Sequence, residues 1–243
     1  MQGSLAVVTP MANERQTAID FLEAVARVTR GLKTMTHFVV FDKVCTDGTV
    51  DLLRERYSNN ERVNIVWAPE NRSVVDAYMV GYRAAISAGF DWILEIDGGF
   101  SHQPTDLERF VPAANAGADC VLGSRFMRGS EIEDVPLKRR VVSKGGTFLT
   151  NRLLGTKLSD MTSGYQLFRR EVLEGILARG IQSRGHFFQT EMKVYAHQWE
   201  ITEVPIHYRA ASPSVNAAVI NDAFSHLIRL FKMRVRGELR IKK

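Results

Sequence analysis

Five short apolar runs in the first half of the chain, four of them stopping at polar, acidic or glycine residues, are separated by helical patterns. Leu5-Ala6-Val7-Val8 stops at Thr9-Pro10, and His37-Phe38-Val39-Val40-Phe41 stops at Asp42. Val63-Asn64-Ile65-Val66-Trp67 follows, then Trp92-Ile93-Leu94-Glu95-Ile96 ahead of Asp97-Gly98-Gly99, then Cys120-Val121-Leu122-Gly123. Runs of this length and composition read as strands buried on both faces. Residues 17–29, with Ile19, Leu22 and Ala26 on one side, and residues 75–88 read as helices between them. Thr46-Asp47-Gly48-Thr49 reads as a turn that caps the helix holding Leu52 and Leu53. Strands alternating with helices predict an α/β fold with a mostly parallel sheet. Ligands on such sheets bind beyond the carboxyl ends of the strands. Asn13-Glu14, Asp42 and Asp97 all fall there.

The second half is less regular. A helix is predicted over 139–154, then a loop, Ser159-Asp160-Met161-Thr162-Ser163-Gly164, and a short strand over 165–168. A further helix carries Phe188, Glu191, Met192 and Tyr195, whose spacing reads as core. Residues 202–208 read as an edge strand, because Pro205 has no N–H for a ladder. The last helix is predicted over 217–236. Ile220, Ala223, Phe224, Leu227, Leu230 and Phe231 line one face, with Arg229, Lys232 and Arg236 on another.

Composition removes several classes. Among 243 residues there are two cysteines, Cys45 and Cys120, so no disulfide scaffold is possible and a reduced, cytoplasmic protein is expected. No apolar run approaches the ~18 residues of a membrane span, and the opening Met1-Gln2-Gly3-Ser4 does not read as a secretory signal. Walker A, G-x-G-x-x-G, H-E-x-x-H and C-x-x-C patterns are absent. The formal charge of +5 is unevenly spread: seven basic residues from Arg229 onward face one acid, Glu238, leaving residues 1–228 at −1. A neutral body with a basic tail suggests an anionic surface partner, lipid headgroups or nucleic acid, with nucleic acid the less favoured.

Asp97, ahead of two glycines, suits Mg²⁺ or Mn²⁺, which take oxygen ligands and are commonly completed by substrate phosphates. Glu95, two residues earlier on an extended strand, faces the same side and is a second candidate metal ligand. A strand-terminating turn accounts for the same residues without any metal.

Taken together, these segments resemble family 2 glycosyltransferases. Thr9-Pro10-Met11-Ala12-Asn13-Glu14 is similar to the family's T-x-N-E start, and Asp42 with Thr46-Asp47-Gly48-Thr49 to its D-D-G-S-T-D-G-T segment. Glu95 through Pro104 occupies the place of the D-x-D motif and its H-x-P sequel, and Gly123-Ser124-Arg125-Phe126 that of G-S-R-[FY]. Ser159 through Arg170 resembles S-D-x-T-S-G-[FY]-[RK]-L-F-[RK]-R; Phe188-Gln189-Thr190-Glu191-Met192 and Glu203-Val204-Pro205-Ile206 follow in family order. The combination resembles the dolichyl-phosphate mannosyltransferase-like branch and covers about residues 5–232.

The resemblance implies a GT-A fold, Rossmann-like, over residues 1–216, with a nucleotide-binding half (1–125), an acceptor half (126–216) and an amphipathic basic helix over 217–243. It implies an inverting hexosyltransferase acting from a nucleotide-sugar onto a polyprenyl phosphate; with no membrane span, lipid access at a membrane surface would come from the basic amphipathic tail or a partner protein. Pro10, Ala12, Glu14 and Asp42 would hold the base and ribose, and Asp97 the Mg²⁺ or Mn²⁺ on the diphosphate. Arg125 would lie near a phosphate; Arg139, Arg140 and Ser143 would bind the acceptor phosphate, and Gln189 and Glu191 would complete that side of the pocket. A phosphate acceptor needs positioning more than deprotonation, whereas a hydroxyl acceptor would need a base, for which Asp160 is the candidate. The chain departs from the family pattern at several points: Gly99 stands for the second D-x-D aspartate, Ser101 for a frequent Gln and Lys43 for the second Asp of D-D-G-S. Asn71-Arg72-Ser73-Val74-Val75-Asp76-Ala77 also lacks both glycines of N-x-G-x-G-x-A. A hydroxyl-acceptor transferase and a nucleotide-binding protein without turnover therefore stand as alternatives.

Overall fold

A computed structural model describes residues 2–209, 217–239 and 241. Its main sheet has seven strands: β1 (Leu5–Pro10), β2 (Met35–Phe41), β3 (Val63–Trp67), β4 (Trp92–Glu95), β5 (Cys120–Ser124), β7 (Gln166–Arg169) and β8 (Ile201–Pro205). The order is β3-β2-β1-β4-β7-β5-β8. Only β7 runs antiparallel to its neighbours, β4 and β5. The helices are α1 (Ala18–Val28), α2 (Thr49–Arg56), α3 (Val74–Ser87), α4 (Leu107–Asn115), α5 (Leu137–Leu154), α6 (Arg170–Ala178), α7 (Phe188–Ala196) and α8 (Ala217–Val235). Burial alternates with the pleat. Leu5 and Val7 join Phe21, Leu22, Val39 and Phe110 on one face, while Ala6 and Val8 join Phe38, Tyr78, Tyr82, Phe168 and Met192 on the other. Helices cover both faces, which is why the strand sequences are continuously apolar.

The predicted 202–208 strand is two strands. Residues Ile201–Pro205 lie at the edge of the main sheet beside β5, while β9 (His207–Arg209) pairs in parallel with β6 (Glu131–Glu133). The break falls at Ile206, which is buried and whose N–H still donates to Ser124 O (3.1 Å). The apolar face predicted for the last helix also divides. Leu227 and Leu230 enter the core beside α7, with Ala223 packed against it, whereas Ile220, Phe224 and Phe231 are exposed. Arg234 on α8 donates to Leu153 O at the end of α5 (2.6 Å), so the helix is fastened to the body.

His37 on β2 is buried, and Nε2 shares a hydrogen bond with Thr9 Oγ1 (2.9 Å). Burial lowers it from 6.5 to about 3, so the folded chain holds it neutral while the unfolded chain takes up a proton below 6.5. Its contribution to stability is full above 6.5 and is lost as the pH falls through that window toward 3. The unfolding free energy should fall by up to ~1.4 kcal/mol per pH unit from this residue alone. Denaturant titrations of wild type and His37→Gln between pH 7 and 4 check it: the two curves should converge on acidification, and parallel curves would contradict it.

Candidate active site

The carboxyl ends of β2, β1 and β4 lie side by side, because both β2 and β4 pair with β1. The loops beyond them are tied together. Asn13, at φ 57°, accepts from Thr46 N (2.9 Å) and donates to Val44 O (3.0 Å). Asp47 accepts from Arg15 N and Thr49 N, each at 3.0 Å, and Glu14 N donates to Thr49 Oγ1 (3.1 Å). The turn expected at 46–49 is therefore structural, and its work is to hold the Glu14 loop. Asp42 caps Val44 N (2.9 Å) with one oxygen. Pro10, Ala12, Glu14 and Asp42 are partly exposed along this rim.

Asp97 stands just past β4 with its side chain 44% exposed. Tyr78 of α3 donates its hydroxyl to Oδ1, and His102 Nδ1 lies 3.5 Å from Oδ2. Glu95 does face the same side, since Tyr82, one turn along α3, donates to it, but it differs from Asp97 in depth. It has no exposed surface and also accepts from Gln189 and, at 3.3 Å, from Gln166. Burial raises it to about 8 against the pull of the Tyr82 and Gln189 hydrogen bonds. Sealed beneath the rim with its oxygens taken by Tyr82, Gln189 and Gln166, Glu95 is not placed to meet a cation beside Asp97, which corrects the metal role expected for it. Gly164 makes this packing possible, because a Cβ there would lie 2.8 Å from Gln189 Nε2.

Asp160 is also sealed. Its carboxylate accepts from Arg125 N (3.1 Å), Nε (2.7 Å) and Nη2 (2.9 Å) and from Thr162 N (3.0 Å). Burial alone would raise it, but the Arg125 guanidinium prevails and holds it well below the usual carboxylate range. Asp160 fixes Arg125 and has no oxygen free to take a substrate proton, so the structure corrects the base role. Lys193, fully buried on α7, donates to Asp160 O (2.7 Å), and burial lowers it to about 8. Glu191 is likewise turned away from the rim: it accepts from Ser183 N (2.9 Å), Tyr195 and Arg229 of α8. Gln189 lies beneath the rim on Glu95.

Across from the acids, Arg125 stacks over the rings of Phe126 (5.3 Å) and Tyr208 (5.0 Å), and Lys144 Nζ lies 5.2 Å over Phe126. Arg139 donates to the Tyr208 hydroxyl (3.3 Å), and Arg140 to Ile132 O (2.8 Å). Tyr208 packs on His102 with ring centroids 5.2 Å apart. Asp97, His102, Tyr208, Arg125 and Arg139 thus form one continuous wall. Ser143 lies one turn further along α5, partly exposed. Sequence reasoning missed Tyr78, Tyr82 and Tyr208. The i, i+4 spacing of the two α3 tyrosines, directly after the altered 71–77 segment, was the available signal.

The family model for glycosyl transferase family 2 matches residues 6–177. Polyprenol monophosphomannose synthase of Mycolicibacterium smegmatis is 28% identical over 236 residues, 96% of this chain and 88% of that protein. Undecaprenyl-phosphate mannosyltransferase of Micrococcus luteus is 32% identical over 172 residues, 70% of each. Among solved structures, glucosyl-3-phosphoglycerate synthase from Mycobacterium tuberculosis in complex with Mn²⁺, UDP and phosphoglyceric acid superposes with a TM-score of 0.68 at 17% identity. It covers 96% of this chain and 78% of that one, a likeness of fold. The acid rim beyond a GT-A sheet and the match over most of the chain agree: this chain belongs to glycosyl transferase family 2 and is a glycosyltransferase.

Proposed function

We propose that the chain transfers a sugar from a nucleotide-sugar to a polyprenyl phosphate, with Mg²⁺ or Mn²⁺ at Asp97 and inversion at the anomeric carbon. The observation that carries this reading is the continuous wall from Asp97 through His102 and Tyr208 to Arg125 and Arg139. In this reading Asp97 would bind the cation, and Arg139, on the Tyr208 hydroxyl, would face a phosphate, with Arg125 held by Asp160 beneath Tyr208. Departure of a nucleoside diphosphate builds negative charge that a divalent cation neutralises. The residues fit such a cation: Asp97 offers exposed oxygen, and the buried His102 ring stands behind it with Nδ1 3.5 Å from Oδ2 and no hydrogen bond among the described residues, placed where an outer-shell donor would orient the carboxylate. Those residues bring no three acidic, histidine or cysteine side chains together at a metal's distance. Diphosphate oxygens and water would complete the shell, as is usual for Mg²⁺. Pro10, Ala12 and Asp42 would hold base and ribose, and Arg139, Arg140 and Ser143 the acceptor phosphate.

The test is a thermal-shift panel of GDP-, UDP- and dTDP-sugars with and without Mn²⁺, then transfer from the stabilising donor to undecaprenyl phosphate. Bound donor raises the midpoint by mass action. One donor should stabilise the chain in a metal-dependent way and yield an organic-extractable glycolipid. Stabilisation with transfer only to hydroxyl acceptors would move the reading to that class, and no stabilising donor at all would defeat it.

A lipid acceptor requires the enzyme to reach a membrane surface. No described helix is long and apolar enough to cross one. Helices α5 and α8 instead expose Leu137, Val141, Phe148, Phe224, Phe231 and Val235, among the exposed Lys138, Lys144, Arg152 and Lys232. An apolar helix face rimmed by cations suits an anionic lipid surface. Removing 217–243 would strip Leu227 and Leu230 from the core, so point substitutions are the cleaner probe. Phe148→Ser with Phe224→Ser should weaken binding to anionic liposomes at least tenfold, since each buried Phe is worth ~1.5–3 kcal/mol, without moving the unfolding midpoint. Unchanged liposome binding rejects this docking face. Steeply salt-dependent binding to RNA or DNA instead would assign it to nucleic acid.

A further inference from the structure

We propose that Glu14 supplies the second carboxylate at the diphosphate end of the cleft, and that residue 99 is glycine because Glu14 fills the space of its side chain. This rests on the metal-bearing donor site proposed above and moves Glu14 from the base and ribose, where the resemblance puts it, to the diphosphate end, because its carboxylate lies against Gly99. In the D-x-D pattern the position of Gly99 carries an aspartate. Here a Cβ on Gly99 would lie 2.6 Å from Glu14 Oε1, 3.0 Å from Cδ and 3.1 Å from Oε2. The Glu14 carboxylate therefore occupies the volume that an aspartate at 99 would project into. The backbone agrees, because Gly99 sits at φ 73°, a conformation that glycine takes most readily.

The Glu14 carboxylate is held in place. Its backbone N–H is fixed to Thr49 Oγ1, and Oε2 accepts from Thr17 Oγ1 (2.5 Å). Among the described residues Oε1, the oxygen nearest Gly99, takes no hydrogen bond, so it is the one left for a cation. Independently, the His102 side chain is 2% exposed, its nitrogens lack partners among the described residues, and Nδ1 points at Asp97 Oδ2 from 3.5 Å. Buried polar atoms without partners are uncommon, and this one sits where an N–H would steady a carboxylate engaged by a metal. Two carboxylates reaching one end of the cleft from β1 and β4, with phosphate oxygens, match the usual protein share of a Mg²⁺ or Mn²⁺ shell.

The experiment titrates the full chain with Mn²⁺ alone, free ion being followed by electron paramagnetic resonance. Contacts to base and ribose then do not enter. Glu14→Gln should weaken Mn²⁺ binding about tenfold with an unchanged unfolding midpoint. Glu14→Ala should weaken it similarly, and Glu14→Ala with Gly99→Asp should recover most of the loss, aspartate being among the side chains that best tolerate positive φ. Gly99→Asp alone should gain nothing. Wild-type affinity in Glu14→Gln, tighter binding by Gly99→Asp alone, or a double variant no better than Glu14→Ala would each overturn the proposal. Absence of Mn²⁺ binding by the wild type would overturn it too. A nucleotide-sugar that still stabilises the wild type without metal would leave the transferase reading standing.

Discussion

Asp97→Asn should lower kcat/KM by about 10²–10³-fold while the chain stays folded. The substitution keeps the shape and an acceptor for the Tyr78 hydroxyl, so that buried group is not orphaned. It removes the negative charge of the half-exposed carboxylate just past β4. A thousandfold loss corresponds to about 4 kcal/mol of transition-state stabilisation, the scale expected when a leaving diphosphate loses its neutralising cation. Steady-state kinetics with the donor found in the thermal-shift panel, over a range of Mn²⁺ concentrations, measures it. A variant within tenfold of wild type at every Mn²⁺ concentration would show that Asp97 does not carry the metal.

The largest effect on stability should come from Asp160→Ala. Arg125 is 8% exposed and makes three of its hydrogen bonds to this carboxylate. Breaking a buried pair by removing one partner leaves an uncompensated charge and costs about 3–5 kcal/mol, a fall of roughly 10 °C in a chain of this size. Lys193 donates to the Asp160 backbone oxygen, so a second buried cation loses the carboxylate that does most to favour its charge. Replacing both partners, Asp160→Ala with Arg125→Met, should cost distinctly less than Asp160→Ala alone. Denaturant midpoints of the three chains decide it, and equal losses in the single and double variants would contradict the pairing argument. A base role for Asp160 would instead appear as a lost acid limb in the pH–rate profile.

Much of the parallel half was legible because its strands are bounded by turn chemistry that no tertiary contact overrides. The run read at 63–67 is β3 without change, and the predicted 75–88 helix differs from α3 by one residue at each end. What the sequence left hidden depends on depth and on partners far along the chain. Glu95 and Asp97 were correctly placed on one side, yet periodicity states a direction and not how much protein lies above it. Asp160 and Arg125 are 35 residues apart, and their bidentate pairing is invisible to local patterns. Strand β6 is three residues with two acids, Glu131-Ile132-Glu133, too short and too polar to signal itself. The apolar stripe of α8 was readable, but its division into a packed edge and an open edge is set by where α7 and α5 stand.

The reversed strand β7 has a consequence for how this enzyme comes into being. Because it lies between β4 and β5, the two halves of the cleft share no direct ladder, and one four-residue segment spaces Asp97 from Arg125 by about two interstrand gaps, ~10 Å. A ribosome that has released only the first 125 residues presents β4 with a bare hydrogen-bonding edge, a template for pairing with another chain. Biogenesis is therefore exposed to aggregation until Gln166–Arg169 emerge and close the gap.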